Sequence, residues 1–133
     1  MEKRRIQMRK GFTLIELIIV IIIVGILASV GLTQYTKVVE KGRAAEARLI
    51  LGSLRTAQIS YYMENGAYTA SVASLGVEAP TGCATTHYFS YTCAATGTCT
   101  ATRCASGGKT PNSTVAYTKT LTAAGVLGGT AGY

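Results

Sequence analysis

One carboxylate inside an apolar run constrains this chain more than any other feature of its sequence. Glu16 is the only ionisable side chain from Phe12 to Leu32. A charged group is costly in hydrocarbon and is generally kept there for a function, together with a partner group. No Lys or Arg lies between Gly11 and Lys37, so the run itself supplies no cation. The partner is therefore expected to be an amine made by cutting the chain beside this segment, or a cation of another molecule.

The residues before the run are basic and few. Residues 1–10 contain five cations and one acid, and they account for most of the formal net charge of +7. Basic residues beside an apolar span hold that side in the cytoplasm. A secretory signal would place a small-residue cleavage site after the run, where the chain offers only the weak candidate Ala28-Ser29-Val30. The charge is thus interpreted as a topology signal and not as a nucleic-acid surface.

The segment Lys10-Gly11-Phe12-Thr13-Leu14-Ile15-Glu16, followed by apolar residues, resembles the N-terminal signature of type IV pilins and their pseudopilin relatives. In that family a prepilin peptidase cuts after the glycine and methylates the new N-terminal residue. The resemblance therefore implies a leader of residues 1–11, cleavage between Gly11 and Phe12, and N-methylated Phe12 as the mature N-terminus. It also implies that Glu16 pairs with a neighbouring subunit's amine during assembly. The resemblance covers about residues 10–68.

A helical pattern continues beyond the apolar run. No proline interrupts residues 12–65, and Asn65-Gly66 is a strong stop signal. Such a helix would be about 80 Å long at ~1.5 Å per residue, too long for one small domain to cover. Its first half is therefore expected to be buried in lipid or by other copies of the chain. The predicted divisions are the leader 1–11, a hydrophobic membrane or filament-core helix 12–36, an amphipathic helix 37–65 and a head 66–133.

Within the predicted helix, three patterns suggest how it packs. Gly25 and Gly31 mark places where the helix could loosen, since glycine weakens a helix by roughly 1 kcal/mol relative to alanine. The charges between Lys37 and Arg55 alternate in sign, as is typical of a solvated face or of an ionic seam between subunits. The predicted apolar stripe of the amphipathic part consists of Ala45, Leu49, Ile50, Leu54, Ala57 and Tyr61.

The head is rich in Ala, Thr, Ser and Gly and poor in large aliphatic residues. Residues with high β-propensity predict strands at 85–92, 97–102 and 113–121, followed by a glycine-rich tail at 125–133. The predicted fold class is therefore α+β. A long N-terminal helix packs, through its C-terminal half, against a small antiparallel sheet.

All four cysteines lie in the head: Cys83, Cys93, Cys99 and Cys104. An even number of clustered cysteines in a small exported domain indicates disulfides. The sequence allows three pairings, and short loops favour Cys83–Cys93 with Cys99–Cys104. A four-cysteine zinc site is the alternative, but the spacing lacks the usual C-x-x-C pairs. No metal and no cofactor are therefore expected.

The chain contains few side chains that could serve in catalysis. It contains no Asp, its single His87 lies in a predicted strand, and Glu64 and Glu78 are isolated acids. Neither an enzyme site nor a specific nucleic-acid site is predicted.

The resemblance instead implies a type IV pilus subunit, which polymerises into a helical surface filament used for adhesion, twitching motility or DNA uptake. The implied partners are other copies of the chain, a prepilin peptidase and an inner-membrane assembly platform. The subunit would lie in the inner membrane before assembly and outside the cell afterwards. Two alternatives remain open, a pseudopilin of a type II secretion system and a monomeric anchored binding protein or enzyme. The second would leave Glu16 without a partner.

Overall fold

The computed structural model describes residues 11–130 and divides the chain into two units, with the boundary between Lys37 and Val38. The leader residues 1–10 and the last tail residues, 131–133, lie outside the described residues. One long helix, α1 (Leu14–Asn65), contributes residues to both units. The predicted α+β class is confirmed, because this helix is followed by a four-stranded antiparallel sheet.

The predicted stop of the helix is also confirmed. The backbone N–H of Gly66 donates to the Tyr62 carbonyl at 2.8 Å, and the Asn65 side chain donates to the Tyr61 carbonyl at 3.0 Å. Gly66 has φ of 73°, the left-handed conformation that commonly ends a helix and that glycine adopts without a steric penalty. These bonds satisfy carbonyls that would otherwise lack a partner in the last turn.

The sheet lies in the second unit and has the simple strand order β1-β2-β3-β4. Each strand pairs antiparallel with the next one along the chain, for example Tyr91 with Ala101 and Thr100 with Thr120. A short 3-10 helix, Val72–Leu75, precedes the sheet. The strands are β1 (Phe89–Cys93), β2 (Cys99–Arg103), β3 (Thr118–Leu121) and β4 (Leu127–Gly129).

The strand boundaries correct several of the sequence predictions. The predicted second and third strands, 97–102 and 113–121, begin only at Cys99 and Thr118. The predicted first strand began at residue 85, but the chain turns there, with the His87 N–H donating to the Ala84 carbonyl, and β1 starts only at Phe89. Residues 125–133 were predicted to form a glycine-rich tail after the last strand, yet Leu127–Gly129 forms β4 against β3. Gly129 has φ of 135°, and a Cβ there would collide with the carbonyl oxygen of Thr118. Glycine is thus what lets this edge strand lie so close to β3.

The core of the second unit lies between the sheet and one face of α1. The buried residues of this face recur every three or four positions: Glu40, Ala44, Ala47, Leu51, Leu54 and Gln58. From the sheet side they meet the inward-facing Phe89, Tyr91, Cys99, Ala101 and Leu121. The predicted stripe was therefore partly wrong. Leu54 is buried as predicted, whereas Leu49 is 75% exposed. The buried face begins at Glu40 and ends at Gln58. Both are polar residues, which a prediction from hydropathy alone does not select.

Candidate functional site

Glu16 lies at the amino end of α1 in a reciprocal hydrogen-bond arrangement with Thr13. The backbone N–H of Thr13 donates to Oε2 of Glu16 at 2.8 Å, and the Thr13 hydroxyl donates to the same oxygen at 2.9 Å. The N–H of Glu16 donates back to the Thr13 hydroxyl oxygen at 3.3 Å. Because α1 begins at Leu14, Thr13 is its N-cap and Glu16 its third residue, which is the geometry of a capping box.

In this arrangement the Glu16 carboxylate contacts Thr13, the residue that follows Phe12, the implied mature N-terminus. Both bonds to the carboxylate go to Oε2, and within residues 11–130 no hydrogen bond is made to Oε1. One carboxylate oxygen is thus available to a further donor. Sequence reasoning singled out Glu16 but missed Thr13. The spacing of threonine and glutamate just before an apolar run was a signal that could have found it.

The apolar residues that follow Glu16 are exposed on every side of the helix. Phe12, shortly before Glu16, is 83% exposed, and the least exposed large apolar residue within residues 11–37, Ile18, is still 43% exposed. Among the described residues, α1 contains one stretch long and apolar enough to cross a membrane. A helix that is apolar all round is normally surrounded by lipid or by other protein. The first unit therefore needs an apolar environment that the described chain does not provide.

Gly25 and Gly31 lie inside a continuous helix, and apart from the local helix backbone and the adjacent residues no atom would lie within 4 Å of a Cβ built at either position. They are therefore not required by close packing within the described residues. Nearby hydroxyls bond the helix's own carbonyls: Ser29 donates to Ile26 at 2.8 Å and Thr33 donates to Val30 at 3.0 Å. Loosening of the helix at the two glycines stays a prediction.

The four cysteines form two disulfides, Cys83–Cys104 and Cys93–Cys99. The favoured pairing, Cys83–Cys93 with Cys99–Cys104, was wrong. Cys93 and Cys99 are directly opposite each other in the register of β1 and β2, so the hairpin brings them together. Cys83 then joins Cys104, just after β2. Among the described residues no cysteine is free, which excludes the zinc alternative at these four positions.

A buried ionic network ties α1 to the sheet, and sequence reasoning missed it. Oε1 of Glu40 accepts from Arg103 Nε at 2.6 Å and from the Tyr117 hydroxyl at 2.9 Å, while Oε2 accepts from Arg43 at 2.7 Å. Glu40 is only 6% exposed and Arg103 only 1%. Three further guanidinium N–H groups of Arg103 donate to the carbonyls of Tyr88, Cys104 and Pro111.

The charge of Glu40 is stabilised by this network. Burial acts to raise the pKa of the Glu40 carboxyl, but the hydrogen bonds from Arg103, Arg43 and Tyr117 act in the opposite direction and lower the pKa below its usual range. The alternating charges of this helix were expected on a solvated face or an intersubunit seam. For Glu40 that expectation is wrong, because its partners lie within its own head.

In residues 11–130 no three His, Cys, Asp or Glu side chains lie close enough together to hold a metal ion. The Nδ1 atom of His87 lies 2.8 Å from the hydroxyl of its neighbour Thr86, a local contact typical of a surface histidine.

Comparison with known proteins identifies the N-terminal segment. Residues 6–32 match the family model described as the prokaryotic N-terminal methylation motif. The fimbrial protein EcpC of Eikenella corrodens is 42% identical over 73 residues, which are 55% of this chain and 48% of that protein. A type IV major pilin protein PilE1 of Neisseria gonorrhoeae is also 42% identical over 73 residues, 55% of this chain and 44% of that pilin.

A pilin from another organism is also similar to this chain. The type IV major pilin protein PilA of Myxococcus xanthus is 42% identical over 60 residues, 45% of this chain and 27% of that pilin. The chain thus spans about half the length, or less, of the relatives that it matches. The resemblance predicted from the sequence is nevertheless confirmed: the chain carries the prokaryotic N-terminal methylation motif and is similar to type IV major pilins and fimbrial proteins.

Proposed function

We propose that this protein is a structural subunit of a type IV pilus, processed at its N-terminus and polymerised into a helical surface filament. The observation that carries the proposal is the combination at the start of α1. The match to the methylation motif supports a cleavable bond beside Phe12, and four residues later Glu16 presents a carboxylate at the head of an exposed apolar helix. The names of the matched relatives, type IV major pilins and fimbrial proteins, support the same conclusion.

Processing supplies the cation that the apolar segment lacks. A prepilin peptidase would cut after Gly11 and leave Phe12 with a free, methylated amine. The basic residues 1–10 would hold this end of the chain in the cytoplasm while α1 spans the inner membrane. An inner-membrane assembly platform would then take up the processed subunit.

Assembly would transfer the apolar helix from lipid to a bundle of identical helices. Lipid tails and apolar side chains are similar environments, so this transfer gains little hydrophobic free energy. The charged pair between Glu16 and the neighbouring Phe12 amine is therefore better suited to fix the register of subunits than to supply most of the stability. The capping contact with Thr13 supports this role, since it holds the carboxylate at the end of the helix where the amine arrives.

The second unit would form the part of the subunit that faces the outside. Its two disulfides suit an oxidising compartment outside the cytoplasm. The pseudopilin alternative is not favoured, because the matched relatives are pilins and fimbrial proteins. The role of such a protein is structural, and we propose no catalytic step for this chain.

The test of the proposal is Glu16→Ala in cells that express the protein and its assembly apparatus. We expect the variant to reach the membrane fraction in normal amount and to form no filaments, measured by immunoblotting and by electron microscopy of sheared material. Glu78→Ala, which removes an exposed carboxylate of the second unit, is the matched control and should assemble normally. Normal fibres from the Glu16 variant would contradict the pairing.

The cleavage site is tested separately. Gly11→Ser should leave the leader attached, so intact-mass spectrometry should find the full-length chain instead of one that begins with N-methyl-Phe12. Finding Phe12 as the N-terminus of that variant would refute the assigned site.

A further inference from the structure

Only some of the charged side chains of α1 in the second unit have a partner within the described residues. Glu40 and Arg43 belong to the buried network, and Glu46 accepts the backbone N–H of Tyr88 at 3.3 Å. Lys41 and Arg48, in contrast, are exposed, and within residues 11–130 neither forms a hydrogen bond or ion pair. They lie seven residues apart, about two helical turns, and so occupy the same side of α1. We call Lys41 and Arg48 the cationic face.

An acidic groove lies at the other end of the same helix. Glu64 is exposed in its last turn, and in the described part of the chain its carboxylate accepts only a long hydrogen bond of 3.4 Å, from the Ser60 hydroxyl. The groove has a volume of about 320 Å³ and is mostly polar. It is lined by Ala57, Ser60, Tyr61, Glu64, Ser74 and Leu75. We call it the Glu64 groove.

We propose that the Glu64 groove of one subunit receives the cationic face of a second copy of the chain. The inference rests on the proposed function, since it names a contact that the filament would contain. Charge complementarity carries it: the described second unit has an unpaired acid in a groove and unpaired cations on an exposed helix face. A lysine or arginine fits such a groove well, because its alkyl stem packs along Tyr61 and Leu75 while its charged end reaches Glu64.

The separation of the two surfaces determines what the contact builds. At ~1.5 Å per residue, Glu64 lies about 24 Å from Arg48 and about 35 Å from Lys41 along the helix axis. The Glu64 groove of one subunit therefore cannot contact the cationic face of the same subunit. In two parallel copies the two surfaces meet only when one copy is displaced along the helix axis by a similar distance. Such a contact joins different surfaces on the two copies. A repeated contact of this kind extends into an open helical polymer unless its rotation closes a ring.

Charge reversal tests the contact in filaments made by the full-length protein. Glu64→Lys should lower the yield of sheared filaments several-fold, and the reduction should shrink at high salt, where surface charges are screened. The variant should still fold, because Glu64 is exposed and a cation is favourable at a helix C-terminus. Glu78→Lys changes the net charge equally, lies outside the groove and should leave the yield unchanged. Wild-type yields from Glu64→Lys would overturn the proposal.

The sharper measurement combines rescue with cross-linking. The swap Glu64→Lys with Lys41→Glu, or with Arg48→Glu, should restore filament yield, because attraction returns with the signs exchanged. In otherwise wild-type filaments, Glu64→Cys together with Lys41→Cys or Arg48→Cys should give disulfide-linked ladders on non-reducing gels, whereas each single cysteine should give none. Filaments without a ladder from either pair would refute the contact while leaving the proposed function intact. Absence of filaments from the wild-type chain would count against the proposed function itself.

Discussion

The two parts of helix α1 share a backbone conformation but differ in the burial and polarity of their side chains. From residue 14 to residue 37 no side chain is buried, and most of the exposed residues are apolar. From residue 38 to residue 65 a regular face is buried against the sheet. The exposed positions mix charged residues such as Lys41 and Arg48 with apolar ones such as Leu49. The comparison shows that helix formation alone does not tell what a helix packs against. The first part depends on lipid or on other copies, and the second carries its partner in the same chain.

The same contrast holds for the two most informative carboxylates. Within residues 11–130, Glu16 is exposed and bonds only to Thr13, whereas Glu40 is buried and bonds to Arg103, Tyr117 and Arg43. A buried charge is tolerated only when it is fully paired, so Glu40 must be satisfied inside the subunit. Glu16 has one oxygen free of such bonds within the described residues. Its partner can therefore come from outside the subunit.

The largest effect on this comparison is expected from Arg103→Ala. The variant leaves Glu40 buried without its main partner, and breaking a buried pair in this way typically costs about 3–5 kcal/mol. We expect a loss of this size in the free energy of unfolding of the second unit, measured by urea titration of the protein in detergent. Glu16→Ala should leave that free energy unchanged. If both variants lowered the free energy of unfolding equally, the proposed difference between the two carboxylates would be wrong.

The disulfides are expected to differ in the stability that they add. Cys83–Cys104 spans 21 residues and Cys93–Cys99 only 6. On the chain-entropy account, removing the longer bridge costs roughly 3 kcal/mol and removing the shorter one roughly 2 kcal/mol. The double variants Cys83→Ala with Cys104→Ala, and Cys93→Ala with Cys99→Ala, can be compared by urea unfolding. A larger loss from the shorter bridge would show that native packing, and not loop length, decides the order.

A smaller effect is expected from pH. The folded-state pKa of Glu40 lies below its unfolded value of about 4.3, so both states are ionised at neutral pH and the stabilisation is then fully present. As the pH falls below about 4.3 the unfolded state takes up the proton first, and the free energy of unfolding decreases until the pH has passed the folded pKa. Glu40→Gln should be less stable at neutral pH and should lose less stability on acidification. An unchanged slope in this variant would show that other carboxyls cause the acid sensitivity.

The smallest effect is expected at the amino end of α1. Thr13→Ala removes the N-cap, which typically costs about 1 kcal/mol of local helix stability, while Thr13→Ser keeps the hydroxyl. Amide hydrogen exchange in detergent micelles should become faster in the first turn of the alanine variant only. The second unit should exchange at its normal rate in both variants. Faster exchange there would mean that the two parts of the helix are coupled more strongly than their separate contacts indicate.

Much of the fold could be predicted because its main signals are local. The absence of proline and the Asn65-Gly66 stop determine the length of the helix, and both signals lie within the helix or beside it. The features that were missed depend on residues distant in sequence. Glu40 and Arg103 are 63 residues apart, and no local pattern shows that they meet. Strand β4 has glycines where strand-forming residues are usual, so its pairing with β3, not its own propensity, determines its conformation.

The candidate site follows the same division. Glu16 and the bond beside Phe12 could be singled out as candidates because the signature is a contiguous segment, and the capping residue Thr13 lies within it; the cleavage and the pairing stay predictions. The disulfide pairing could not, because it depends on the register of β1 and β2, which places Cys93 opposite Cys99. Short loops alone favoured a different pairing. Register is a property of the folded sheet, and the spacing of cysteines along the chain carries little information about it.

The most direct test of the account is an electron cryomicroscopy structure of filaments sheared from cells that make this protein. The account predicts that residues 14–37 of neighbouring copies pack together at the filament centre, with the Phe12 amine of one copy within about 4 Å of the Glu16 carboxylate of another, the usual limit for an ion pair. A filament in which this segment lies outside the core, or in which Glu16 contacts only Thr13 of its own chain, would contradict it.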